Sequence, residues 1–172
     1  MDLLKAFSSM LDVYSNVCLR LVGGCSKEYL SEIMTYCIER KLDQHVHILG
    51  MLNHQQIVKE MKKSAFMVHP SWADSCPNTV YESLIAGLPV IASNVGGLPY
   101  MIEDGVTGYL VRSKDPARLA ATMIRLYADP DLQVRLSRAA MYKMRRRFNR
   151  GNIIDAILSV FDKMLTSQKS KP

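Results

Sequence analysis

Short apolar runs, each bounded by glycine or proline and separated from the next by a stretch of helical periodicity, constrain this sequence more than any other feature. Val17 to Val22 ends at Gly23-Gly24, Val46 to Leu49 at Gly50, and Ala65 to His69 at Pro70. Val90 to Ala92 follows the breaker Gly87-Leu88-Pro89, and a last run around Gly108 to Val111 follows Asp104-Gly105. Such runs are too short for helices and alternate too little for a sheet with one wet face, so they predict strands covered on both sides. Helices between consecutive strands permit parallel pairing. The predicted class is α/β, a doubly wound Rossmann-like parallel sheet.

The intervening segments carry helix signals. Leu3, Phe7, Met10, Leu11 and Tyr14 fall on one face of a first helix. Ser26 can cap a second, with Leu30, Ile33, Met34, Cys37 and Ile38 at helical spacing, and Asn53-x-x-Gln56 has the form of a capping box before a third. After the loop Ser71 to Pro77 a helix runs to about Ala86, and a short one is expected near Met101. Asp115-Pro116 opens a helix bearing Leu119, Met123, Leu126 and Tyr127; Asp129-Pro130 opens the next. A break at Gly151 should precede a last helix with Ile154, Ile157, Leu158, Phe161 and Leu165. One domain, residues 1–166, is expected, with residues 167–172 as a flexible tail.

Apolar residues make up 48% and charged residues 22% of the 172, ordinary usage for one globular core and not for a disordered chain. No apolar stretch approaches membrane-spanning length, and Met1-Asp2-Leu3-Leu4-Lys5 lacks the form of an export signal. Cys18, Cys25, Cys37 and Cys76 show neither a C-x-x-C pair nor a disulfide framework, which points to a reducing cytoplasm. His45, His47, His54 and His69 are read as structural residues, and no metal site is expected. The formal charge of +6 favours anionic partners. Lys143, Arg145, Arg146, Arg147 and Arg150 hold much of it, either as a solvated helix end or as a peripheral contact with an anionic membrane. Nothing indicates nucleic acid.

Ligands in doubly wound sheets bind beyond the carboxyl ends of the strands. The stretch Pro70-Ser71-Trp72-Ala73-Asp74-Ser75-Cys76-Pro77-Asn78-Thr79-Val80-Tyr81-Glu82 therefore places two acids at the mouth of the sheet, flanking a helix N-terminus. A helix N-terminus suits a diphosphate, and two carboxylates suit sugar and ribose hydroxyls. The competing reading takes Thr79-Val80-Tyr81-Glu82 as a capping box and Asp74-Ser75 as loop composition. Trp72 either stacks on a ligand or packs beneath the loop.

The sequence resembles glycosyltransferase family 4. The likeness lies in proline, serine, an acid, seven residues and a second acid, then Ala86-Gly87-Leu88-Pro89 and a short apolar strand. It continues through Asn94-Val95-Gly96-Gly97-Leu98-Pro99, Glu103 to Val111, Asp115-Pro116 and Asp129-Pro130-Asp131-Leu132, and backwards through Leu21 to Gly24 and Ile48 to Gly50. The resemblance implies a GT-B fold, two Rossmann-like domains facing a cleft, of which this is the C-terminal, donor-binding one. It also implies a nucleotide diphosphate sugar as donor, retention at the anomeric carbon and no metal or other cofactor.

By the same resemblance Asp74 would contact the donor sugar and Glu82 the ribose. Ser75, Cys76, Pro77 and Asn78 would meet sugar and phosphate, Gly50 and Met51 the base, and Gly23 the nucleotide. Departures are Asp74 where glutamate is usual, Ser75-Cys76 where Gly-Phe is common, and Tyr100 where an acid often stands. The family's domain begins with a strand and a basic loop ahead of the helix that opens this chain, and an acceptor-binding domain ahead of that. The expectation is therefore a donor-binding half, inactive alone, whose sheet lacks its first strand at the centre of the order 3-2-1-4-5-6. Alternatives are a non-catalytic nucleotide-sugar-binding subunit of a split transferase, or another GT-B enzyme such as a sugar-nucleotide epimerase.

Overall fold

The computed structural model describes residues 1–149 together with Gly151, Ile154, Leu158 and Ser159. The expected tail, and Ile157, Phe161 and Leu165, lie outside the described residues. Helices and strands alternate as α1 (Asp2–Leu11), β1 (Leu19–Val22), α2 (Lys27–Glu39), β2 (Val46–Gly50), α3 (His54–Lys63), β3 (Met67–His69) and α4 (Asn78–Ala86). Then follow β4 (Val90–Ser93), α5 (Leu98–Met101), β5 (Tyr109–Val111), α6 (Pro116–Ala128) and α7 (Pro130–Arg147). Side-chain caps start α2, α3, α6 and α7: Ser26, Asn53 with Gln56, Asp115 and Asp129 each accept from the backbone N–H three positions into the helix. The break expected at Gly151 comes earlier, at Phe148, and Gly151 is itself helical.

Every ladder is parallel, as predicted, but the strands form two sheets. β1 pairs with β2, and β4 lies between β3 and β5. No ladder joins β1 to β3 among the described residues. The break falls where the family's strand order would put its first strand. It also explains an uneven burial: β4 has neighbours on both sides and all four residues buried, whereas Met67, Val68 and His69 of β3 are only half-buried.

Alternation along β4 divides the core. Ile91 joins Leu4, Phe7 and Met10 of α1 with Leu119, Met123 and Leu126 of α6. Val90 and Ala92 face the other side, toward Val80 and Leu84 of α4, Leu98 and Met101 of α5, and Ala140 and Met144 of α7. Leu19 and Leu21 of β1 reach the first of these cores by side-chain packing alone.

The β1–β2 unit is thinner than its apolar content predicts. Of the α2 face, Ile33 and Cys37 are buried, but Met34 and Ile38 are exposed, and α3 buries no residue fully. A sheet of two strands is too narrow to cover two helix faces. The Arg20 guanidinium, hydrogen-bonded to the Glu60 carboxylate, ties β1 to α3. That bond holds the Glu60 carboxyl below its ordinary value, against a smaller upward push from burial. A depressed carboxyl stabilises the fold above its unfolded-state pKa and loses that contribution as pH falls through the folded-state value. Glu60→Gln is therefore expected to flatten the acid limb of the pH dependence of β1–β2 protection, read by amide exchange between about pH 3 and 6.

Candidate functional site

The loop between β3 and α4 is built from short-range bonds and one close backbone approach. Pro70 cannot continue the β3 ladder, and Ser71 Oγ donates to the Ala73 carbonyl at 2.9 Å, turning the chain. Asp74 comes back beside the end of the strand, where its Oδ2 lies 3.0 Å from His69 Nε2. Its carbonyl accepts from Gly97 N–H at 3.1 Å. Contact is so close that a Cβ on Gly96 would overlap the Asp74 carbonyl oxygen, and one on Gly97 the Ser75 carbonyl oxygen. The Gly96-Gly97 turn after β4 thus forms the wall against which the loop rests.

α4 starts at Asn78, with Pro77 as its N-cap and no side-chain cap bond. Thr79 is consequently the second helical residue, so the capping box with Glu82 does not form. Glu82 stands in the second turn of α4 and is half-buried. It takes part in none of the ion pairs among the described residues. Its neighbours fix the helix in place. Ser83 Oγ donates to the Thr79 carbonyl at 2.8 Å and lies 2.8 Å from Met67 Sδ, locking α4 to β3.

Tyr81 packs edge-on against Phe148, ring centroids 5.1 Å apart, with the Arg147 guanidinium 5.4 Å from its ring centre. Burial pushes the Tyr81 phenol up, Arg147 opposes this, and Cys76 adds to it. Arg147 also donates to the Tyr100 carbonyl at 2.7 Å, and Lys143 pairs with Glu103 at 2.7 Å. These two members of the basic cluster dock α7 onto the domain and are not simply a solvated end.

Gly23, Gly50 and Met51 converge at the carboxyl ends of β1 and β2. Gly23 N–H donates to the Gly50 carbonyl at 2.9 Å, Gly24 lies against the Met51 side chain, and Met51 is 79% exposed. Asp74, Ser75 and the Gly96-Gly97 turn gather on the other sheet. Of the histidines, His45 Nδ1 lies 3.0 Å from the Val17 carbonyl, a structural role as expected. His69 differs: its partner is the first acid of the motif, a contact that a five-residue spacing across a proline turn does not reveal. Trp72 does not pack beneath the loop; it is 65% exposed, and Lys114 Nζ sits 4.6 Å from its ring centre.

Comparison with known proteins matches residues 1–142 to the family described as Glycosyl transferases group 1. D-inositol 3-phosphate glycosyltransferase of Streptomyces avermitilis is 32% identical over 145 residues, covering 80% of this chain and 31% of the relative. Spore coat protein SA of Bacillus subtilis is 25% identical, covering 94% of this chain and 44% of that protein. This chain thus spans less than half of the length of these relatives, 31% of the first and 44% of the second. Among solved structures, Anabaena HepE in complex with UDP and glucose superimposes with a TM-score of 0.82 at 22% identity, over 94% of this chain and 44% of that one. The C-terminal domain of a glycosyl transferase group 1 family protein from Francisella tularensis gives 0.77 at 18% identity, over 86% and 77%. These neighbours share the Rossmann-like fold of GT-B glycosyltransferases, and with the family match over residues 1–142 the chain belongs to the glycosyl transferases group 1 family.

Proposed function

We propose that this chain is the donor-binding part of a retaining family 4 glycosyltransferase, which moves a glycosyl group from a nucleotide diphosphate sugar to a hydroxyl. The observation that carries the reading is the pairing of Asp74, clamped by His69 and Gly97, with a side-chain-uncapped α4 N-terminus and an unpaired Glu82 one turn further on. The α4 amides would hold the diphosphate and stabilise the charge that develops as it leaves. Asp74 would grip sugar hydroxyls and Glu82 the ribose, each as a charged acceptor. Gly23, Gly50 and Met51 would border the nucleotide. A similar protein, Anabaena HepE, was solved with UDP-glucose, which supports this ligand class.

The proposal needs no metal. It places the acceptor site, and the strand that would pair with β1 and β3, in polypeptide other than residues 1–172, so the chain alone should transfer nothing. It sets the reaction in the cytoplasm, with peripheral contact to anionic lipid through the basic end of α7. No described helix is long and apolar enough to cross a membrane.

Calorimetric titration with UDP-glucose, a panel of other sugar nucleotides and the matching free nucleotides tests the assignments separately. Asp74→Ala and His69→Leu are expected to weaken the sugar nucleotide about tenfold while sparing the free nucleotide, since a charge-assisted bond contributes roughly 1.5–3 kcal/mol. Glu82→Ala should weaken both. Absence of binding by the unaltered chain to every sugar nucleotide, or equal losses for sugar nucleotide and nucleotide in Asp74→Ala, would contradict the roles assigned.

A further inference from the structure

A recess opens at the carboxyl end of the three-stranded sheet, bordered by Trp72 of the donor loop but not lined by Asp74 or Glu82. Its volume is about 540 Å³ and its walls are Trp72, Arg112, Ser113, Lys114 and Asp115. Arg112 and Ser113 follow directly from β5, Trp72 comes from the loop after β3, and Asp115 is the N-cap of α6. It shares Arg112 to Asp115 with a narrower crevice lined also by Asp2, Pro70, Ser93 and Val111. The recess is large enough for a small organic ligand.

Its chemistry is cationic. Arg112 and Lys114 take part in none of the ion pairs among the described residues. Two carboxylates stand nearby, each with one oxygen held by a neutral N–H and its charge retained: Asp115 Oδ1 accepts from Arg118 N–H at 2.9 Å, and Asp2 Oδ2 from Trp72 Nε1 at 3.1 Å. Lys114 holds a left-handed backbone conformation, φ 61°, one of two non-glycine residues among those described to do so. That conformation is strained for a lysine and accompanies the placing of its ammonium over the Trp72 ring. An arginine fork and a lysine point charge on one wall suit a doubly charged oxyanion better than a single carboxylate.

We propose that this recess binds a phosphoryl group, held by Arg112 and Lys114, with the body of the ligand against Trp72. The site is separate from the donor cradle and does not depend on the donor-binding reading. Trp72 is the single tryptophan of the chain, so its emission reports on the recess directly. Titration of the chain with inorganic pyrophosphate at low salt should change that emission saturably. Arg112→Gln and Lys114→Gln should each raise the half-saturation concentration about tenfold. Glu82→Ala should leave the response in place; because the α4 N-terminus would also take pyrophosphate, the two sites are separated by Arg112→Gln and Lys114→Gln, which should weaken the response while leaving sugar-nucleotide affinity by calorimetry unchanged. A parallel titration with vesicles of anionic or zwitterionic lipid, read in the same variants, tells a lipid phosphate from a soluble one. The proposal is overturned by the absence of a saturable response to both pyrophosphate and anionic vesicles, by a response unchanged in the Arg112→Gln, Lys114→Gln double variant, or by its loss in Glu82→Ala.

Discussion

Gly97→Ala is expected to abolish measurable sugar-nucleotide binding by a chain that still folds. The Cβ it adds has nowhere to go but into the Ser75 carbonyl oxygen, which is backbone and cannot swing aside as a flexible side chain would. Either the 71–77 loop or the turn after β4 must move, taking Asp74 away from His69 and breaking the Gly97 N–H bond to the Asp74 carbonyl. Overpacking of this kind costs about 1–3 kcal/mol, a fall in melting temperature of roughly 2–4 °C per kcal/mol for a domain of this size. Gly96→Ala adds a residue with a side chain at φ 53° to a similar clash. Gly105→Ala is the control. It shares the left-handed backbone, φ 73°, but its Cβ would meet nothing within 4 Å, so it should lose about 1–2 kcal/mol of stability and no donor affinity. Thermal melts with calorimetric titration of the three variants check this; unchanged binding by Gly97→Ala would show that the loop is not rigidly held.

Amide hydrogen exchange should divide the molecule in two. The amides of β1 and β2 are expected to exchange at least about a hundredfold faster than those of β4, a difference of roughly 2.7 kcal/mol in opening free energy. β4 lies between two partners with helices on both faces, and its opening requires disruption of both cores. β1 and β2 have only each other for ladder bonds, an α3 without a fully buried residue, and the Arg20–Glu60 pair. A two-stranded sheet is marginal by itself. If a strand enters between β1 and β3, both edges gain a ladder and the β1–β2 amides should slow toward the β4 rate. Equal protection of the two sheets in the chain alone would mean that side-chain packing of Leu19 and Leu21 joins them as firmly as a ladder does.

Much of this was legible in the residues. Apolar runs closed by Gly50 and Pro70, and the breaker Gly87 ahead of the next run, marked the strands and breaks, and Ser26, Asn53, Asp115 and Asp129 marked the helix starts, because both signals are local and act through a few neighbouring backbone groups. The family resemblance singled out Asp74 and Glu82. Burial was less legible. Met34 and Ile38 have the spacing of core residues but stand exposed, since periodicity specifies a face and not whether anything covers it.

The sequence alone thus determined the alternation of strand and helix, the parallel class and the loop that carries the two acids. Tertiary structure alone decided how that loop is held. His69 reaches Asp74, and the Gly96-Gly97 turn closes against Asp74 and Ser75, through distances set by the pairing of β3 with β4 and not by any spacing along the chain. It also decided that the competing capping box does not form, because α4 begins at Asn78, one residue ahead of Thr79. Strand pairing is a long-range choice of neighbours, and so the split between the β1–β2 and β3–β4–β5 sheets appears only once the chain has folded.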